Sequence, residues 1–552
     1  SPDETKLLFL LQQRNRSEAI VRIRAIVGFA LIFYLYKNRV PVYSKVVIYL
    51  SILEPDDKKA LTDLLTDIQL SIVNTLETKK ISKIIQDDIL PQLLQAGSIK
   101  LKGDFGIISD DDIFDEDKNP EWSDKKRKKL EDKLNKMSEW QIEGKDTNYI
   151  TFSHMKSGTF YKEISNWLLP FDINTSYVDH LLENIKDSSL IKNFLVSKAI
   201  LCDSDRYSLC FLIDKADKSV LHMMIENLKM KEEEIKSLME DGQYVNNKNN
   251  DIIRNYLQDL YRFFHIFADR IHFDNPFHYS LNLIECSVLK PLFISYPDRS
   301  IEIAGQYMNI DRFRESYKIY SEVIQLVDGK AENFQKMGFS CQKLEFYDEA
   351  LEWYLRADFA KPENFWTIQH IAQCYRLKGD LMQAIKYYSE IENMTVNSPN
   401  ILIAIGECYL MTKDYDNALK RLFEAQFKYP KSIKVLRSLA WATLAAGKYE
   451  QSYNFYMNIL GFEYTDFDID PTIQDYLNAG HSAWLCKKRP EAIKFYIESY
   501  KKCEKEDDFM KQMNEDEPYL IKGGIDHKDF IIMKEIIREF AGSQKKIRKT
   551  FQ

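Results

Sequence analysis

The chain has 552 residues, 45% hydrophobic and 29% charged, a water-soluble globular balance with room for two to four domains or one long repeat array. Asp and Glu number 84 against 76 Lys and Arg, which excludes the global cationic field that nucleic-acid binding relies on. The 32 Tyr and 32 Phe stand against only 18 Gly and 15 Pro, so long, well-packed elements with few turns are expected.

Residues 1–100 read as a helical region. "KALTDLLTDIQLSIVNTLETKKISKIIQDDILPQLLQAG" carries apolar residues three and four apart, with Gly97 after the last run. The N-terminus shows no secretory pattern. It opens Ser1-Pro2 without Met, which leaves open a removed signal or anchor. The most apolar run, Ala25 to Tyr36, is shorter than the roughly 20 residues of a membrane span and follows Arg22 and Arg24. It predicts a buried helix and no membrane span.

Residues 101–150 read as a charged linker or exposed insertion. "ISDDDIFDEDKNPEW" is acidic and turn-rich, and "SDKKRKKLEDKLNKM" is a charged helix with almost no apolar face. Within it, "GDFG" at Gly103–Gly106 imitates a kinase metal-binding signature without the rest of that set, so a turn is expected. The acidic run Asp110–Asp117 has Asp115 where a calcium loop needs Gly, and reads as a solvated loop. "KKRKK", Lys125–Lys129, reads as a solvated helix face.

Residues 151–296 return to helical patterns and can be degenerate repeats. "HMKSGT", His154–Thr159, lacks the leading glycines of a phosphate loop. His265, Asp269 and His272 have helical spacing that one zinc ion could use, but the segment is dense in Phe and Tyr, and local hydrogen bonds account for them as well. No metal, cofactor or catalytic residue is assigned. The eight Cys include no C-x-x-C pair and predict reduced thiols in a reducing, cytoplasmic setting.

From Pro297 a 34-residue period appears. Small residues fall at Ala304, Gly338, Ala372, Gly406 and Ala440, and after a longer step at Gly480. Twelve residues on stand Ser316, Ala350, Ala384, Ala418, Ser452 and Ala492. Four further on come Tyr320, Tyr354, Tyr388, Leu422, Tyr456 and Tyr496. Small residues recur where two helices must approach closely, and a helix pair that cannot bury its apolar face alone must stack. Gly379 and Gly447 stand where a helix C-terminus takes a left-handed residue. Residues 297–506 thus hold about six units, starting at Pro297, Ala331, Phe365, Pro399, Ile433 and Ile473. Residues 507–552 read as a capping helix and a basic tail.

This pattern resembles the tetratricopeptide repeat family. The resemblance implies an all-α, right-handed superhelical solenoid of helix pairs, behind an irregular helical region. It also implies that the first helix of each unit lines a groove through its second, fifth, ninth and twelfth positions. Those are Trp366, Gln369, Gln373 and Arg376 in the third unit, and Lys434, Arg437, Trp441 and Leu444 in the fifth. Asn400, Ile403, Glu407 and Leu410 lie between, and the last unit offers His481 and Trp484. Some members clamp a terminal carboxylate, and of that set only Lys434 matches here.

The expected function is a non-catalytic scaffold or adaptor that binds a protein or peptide, acidic with an apolar anchor. No nucleic-acid partner is expected, and oligomeric state is open. The alternative is an enzyme or metal-dependent effector in residues 1–296 regulated by the array.

Overall fold

The computed structural model describes residues 2–95, 124–175, 178, 191–192, 195, 201–215, 248–279, 281–327, 329–394, 398–461, 471–503 and 506–550. Among them every regular element is helical. The chain divides into two compact bodies, residues 1–328 and 329–552.

Among the described residues of the first body, the helices of eight residues or more are α1 (Pro2–Gln12), α2 (Ala19–Leu35), α3 (Ser44–Ser51), α4 (Pro55–Thr75), α5 (Asp124–Ile142), α6 (Asp203–Lys215), α7 (Lys248–Ile266), α8 (Pro297–Asn309) and α9 (Phe313–Val323). The apolar run at Ala25 lies on α2 and buries Ile26, Val27, Phe29, Ala30, Leu31 and Phe33. Helices α2 and α4 both pack on α7. Among the described residues no helix is long and apolar enough to cross a membrane. The charged helix α5 is docked at its end: Trp140 is buried against Ile81, Ile85 and Ile89, with Met137 beside it. "GDFG" and Asp110–Asp117 lie outside the described residues.

The core of this body holds charge. Arg262 on α7 reaches Asp146 through two hydrogen bonds of 2.7 and 3.0 Å and Asp205 through one of 2.7 Å. Lys156, from the segment with phosphate-loop overtones, lies 2.8 Å from Asp205, and both side chains are buried. Burial alone would raise the Asp205 carboxyl, but Arg262 and Lys156 together hold it below its ordinary value. The amide of Gln69 on α4, also buried, donates to Leu281 O at 2.9 Å and accepts from Leu283 N at 2.8 Å, which fixes that irregular segment.

In the second body the 34-residue period becomes helix pairs: α10 (Ala331–Lys343) and α11 (Tyr347–Ala360), α12 (Phe365–Lys378) and α13 (Leu381–Asn393), α14 (Pro399–Met411) and α15 (Tyr415–Lys428), α16 (Ile433–Ala445) and α17 (Tyr449–Ile459), α18 (Ile473–Leu485) and α19 (Arg489–Lys502). Helices α20 (Glu506–Lys522) and α21 (His527–Thr550) follow.

Three of the pairs close on the same contact. A Cβ added to Gly338 would come 2.9 Å from the Tyr354 ring, one on Gly406 would come 2.8 Å from Leu422, and one on Gly480 would come 2.4 Å from the Tyr496 ring. The small residue of the first helix is therefore the seat of the large residue of the second. Where the second small position is Ser452, its hydroxyl donates to Ala440 O at 2.8 Å, so the polar atom is satisfied inside the contact.

The turn between paired helices needs a left-handed residue at one register in every unit: Asp311, Glu345, Gly379, Lys413, Gly447 and Lys487 all have positive φ. Gly meets that demand freely, while the other four accept strain. First helices start on side-chain caps at Asn364, Ser398 and Ser432, and on a capping box between Thr472 and Asp475. All eight cysteines are free thiols.

Replacing Gly406 by Leu should overpack its seat against Leu422 and destabilise the protein by about 1–3 kcal/mol. A denaturant melt matching the parent would contradict the register. Replacing Arg262 by Met strips buried Asp146 of its cation and Asp205 of one of its two, and should cost about 3–5 kcal/mol. A loss under about 1 kcal/mol in the same melt would mean that the cluster is solvated.

Candidate functional site

The second body carries a hollow across the first helices of the third, fourth and fifth repeats counted from Pro297. It is an open space of about 490 Å³. Helix α12 supplies Gln369, Gln373 and Arg376, α14 supplies Asn400, Ile401, Ile403, Ala404 and Glu407, and α16 supplies Lys434, Arg437 and Ser438; Tyr388 reaches it from α13. The helical spacing of three and four residues puts each set on one face.

Two of its cations are already neutralised. Arg376 Nη1 lies 2.8 Å from Glu407 Oε2. Arg437 grips Asp475 with Nε at 3.0 Å from both oxygens and Nη2 at 2.6 Å from Oδ2. Asp475 is buried and also accepts the Thr472 amide, so Arg437 is tied to the start of α18. Lys434 is exposed and has no ion-pair partner among the described residues.

Beside the hollow is a ring cluster. Trp366 remains 38% exposed, with its centroid 3.9 Å from His370 and 6.1 Å from Phe339. The His370 ring also stacks on Tyr354 at 5.5 Å and bonds Gln342 Oε1 at 2.8 Å. Burial, with the nearby Lys343 charge, pushes the His370 imidazole down to about 4.

Of the residues expected to face a groove, the structure brings Gln369, Gln373, Arg376, Asn400, Ile403, Glu407, Lys434 and Arg437 into this hollow and sets Trp366 in the ring cluster. Three others, Trp441, His481 and Trp484, do not stand free. Trp441 meets Tyr519 of α20 at 5.4 Å. His481 is fully buried, its Nδ1 3.0 Å from the Tyr496 hydroxyl and its Nε2 3.3 Å from Asp516. Trp484 is buried in the cluster that α18 and α19 share with α20 and α21, under the Arg489 guanidinium. The reason for the difference is α20, which covers the face they occupy.

Sequence reasoning missed Tyr388, Ile401, Ala404 and Ser438 and the two charge pairs. Opposite charges on the first helices of neighbouring units, Arg376 with Glu407 and Arg437 with Asp475, were the available signal. In the first body His265 is occupied locally, its Nδ1 2.8 Å from Tyr261 O. Among the described residues no three His, Cys, Asp or Glu side chains converge as metal ligands.

The helix pairs from Pro297 are tetratricopeptide repeats, and the protein is an all-α repeat protein. No family model matches the chain. Tetratricopeptide repeat protein 8 of Caenorhabditis elegans is 28% identical over 124 residues, 22% of this chain and 24% of its own length. A BBSome complex member of Bos taurus is 22% identical over 149 residues, 27% of this chain and 29% of its own length. The chain thus spans about a quarter of the length of the curated relatives it matches. A solved tetratricopeptide repeat protein from Parabacteroides merdae is 12% identical and covers 41% of this chain and 88% of its own, with a TM-score of 0.32.

His370 generates a pH prediction. Its folded value, about 4, lies below its ordinary 6.5, so the unfolded chain takes up the proton first as pH falls. The stability due to the neutral ring is complete above about 6.5 and is lost toward 4. Denaturant midpoints over that window should fall more steeply for the parent than for His370→Gln, and parallel slopes would contradict the buried imidazole.

Proposed function

We propose that this protein is a non-catalytic protein-binding scaffold whose hollow over α12, α14 and α16 holds an extended peptide segment. The observation that supports it is the lining itself. Three successive first helices present amides and one unpaired cation around an apolar floor. Gln369, Gln373 and Asn400 each offer donors and an acceptor, as a peptide backbone requires. Ile401, Ile403 and Ala404 suit one apolar side chain. Lys434 suits one carboxylate, whereas Arg376 and Arg437 are spoken for by Glu407 and Asp475. The partner is therefore a segment with a single acidic group near an apolar anchor, rather than a densely acidic one. The free thiols fit a reducing compartment, and we place the protein in the cytoplasm. One matched relative is named as a complex member, which is in keeping with a scaffold.

Selecting a displayed random-peptide library on the full chain should yield a consensus with an acid beside an apolar residue. Selected peptides should lose at least about tenfold in affinity, about 1.4 kcal/mol, on an Asn400→Ala, Lys434→Glu variant. Binding should also weaken with salt. Unchanged affinity for a double variant that melts like the parent would show that the hollow is not the site.

A further inference from the structure

The inner face of the last two repeats is not open, because α20 crosses it. Asp516 lies against His481 on α18, and Tyr519 stands edge-on to Trp441 on α16. Lys522 Nζ bonds the Tyr415 hydroxyl at 2.9 Å at the start of α15. A Cβ added to the next residue, Gly523, would come 2.7 Å from Leu485 and 2.9 Å from the Tyr449 hydroxyl. These residues recur every three or four positions, so one stripe of the helix runs back over three repeats.

This is not a seventh repeat. A further 34-residue step from Gly480 would put a small position at Asn514, which is exposed and polar. The helix lies in the groove instead, in the manner of a bound amphipathic ligand. Its chemistry is that of a ligand as well. It carries six carboxylates against two lysines, in "EDDFMKQMNEDEPYLIK".

The helix has two parts. Phe509 and Met513 are fully buried and anchor its start in the core of the last repeat. The crossing part is held by Leu520 and Ile525 in the same cluster, by Asp516, and by Tyr519, which stays 47% exposed. Pro518 stands inside the helix within the crossing part, between Asp516 and Tyr519. It removes one backbone hydrogen bond and weakens the helix at that point.

We infer that the inner face of α16 and α18 is a helix-docking surface whose resident occupant is residues 515–525 of this chain, and that a partner helix with a carboxylate followed three and four residues on by an aromatic and a leucine docks there by exchange with it. Leu520 and Ile525 mean that the surface is not left bare: the incoming helix must supply the apolar side chain that the resident withdraws. The anchored start keeps the resident at high local concentration, so exchange in the parent is uphill. The inference is independent of the hollow at Lys434, which Asp516 and Tyr519 do not line.

The probe is a fluorescein-labelled peptide of residues 506–526, followed by anisotropy on the full chain. An Asp516→Asn, Tyr519→Ala chain, with its resident weakened, should bind the peptide at least about tenfold more tightly than the parent. Adding Trp441→Ala should abolish that gain. No gain, or a gain that survives Trp441→Ala, would overturn the inference. Hydrogen exchange on the parent decides the matter if a variant misfolds. Amides of 519–525 should exchange faster than those of α18, and equal protection would overturn it.

Discussion

The array depends on one contact, the large side chain of each second helix lying on the small residue of the first. Tyr354 on Gly338, Leu422 on Gly406 and Tyr496 on Gly480 are the same joint repeated. It sets how close paired helices come, and that distance determines how the next pair can stack. Without it the first helices would not line up, and Gln369, Asn400 and Lys434 would not share a hollow. Because each repeat touches chiefly its neighbours, such a joint acts locally and its effects propagate by stacking.

That joint was legible in the amino-acid sequence because it uses residue types that differ sharply in volume at a fixed step. The left-handed turn position was half hidden. Gly379 and Gly447 announce it, while Asp311, Glu345, Lys413 and Lys487 do the same work in ordinary loop residues. The groove was legible as positions but not as charges. A register places Arg376 and Arg437 on the inner face, yet only coordinates show that Glu407 and Asp475 have taken them. The covering of His481 and Trp484 was not legible, because α20 departs from the period and its acidic sequence looks like solvated surface.

The first body shows the same limit in another form. Its helices follow from apolar spacing, but Lys156, Asp205 and Arg262 look like surface residues in any one-dimensional reading and are among its most buried groups. They are enclosed because each charge meets opposite charge at hydrogen-bonding distance, a fact that arises from segments 57 and 116 residues apart. The docking of Trp140 at the end of an otherwise highly charged helix has the same origin, since one aromatic side chain can tether a helix whose composition suggests solvent.

The clasp between Arg437 and Asp475 joins first helices on either side of the one connection that is longer than the period allows. It takes hold of α18 at its first turn, where Asp475 also fastens Thr472. The spacing of these two helices is thus held from the inside as well as through α17, which packs on both. Insertions and deletions in that link can accumulate during evolution while the inner surface keeps its shape. The link is therefore the place where related proteins are free to diverge in length.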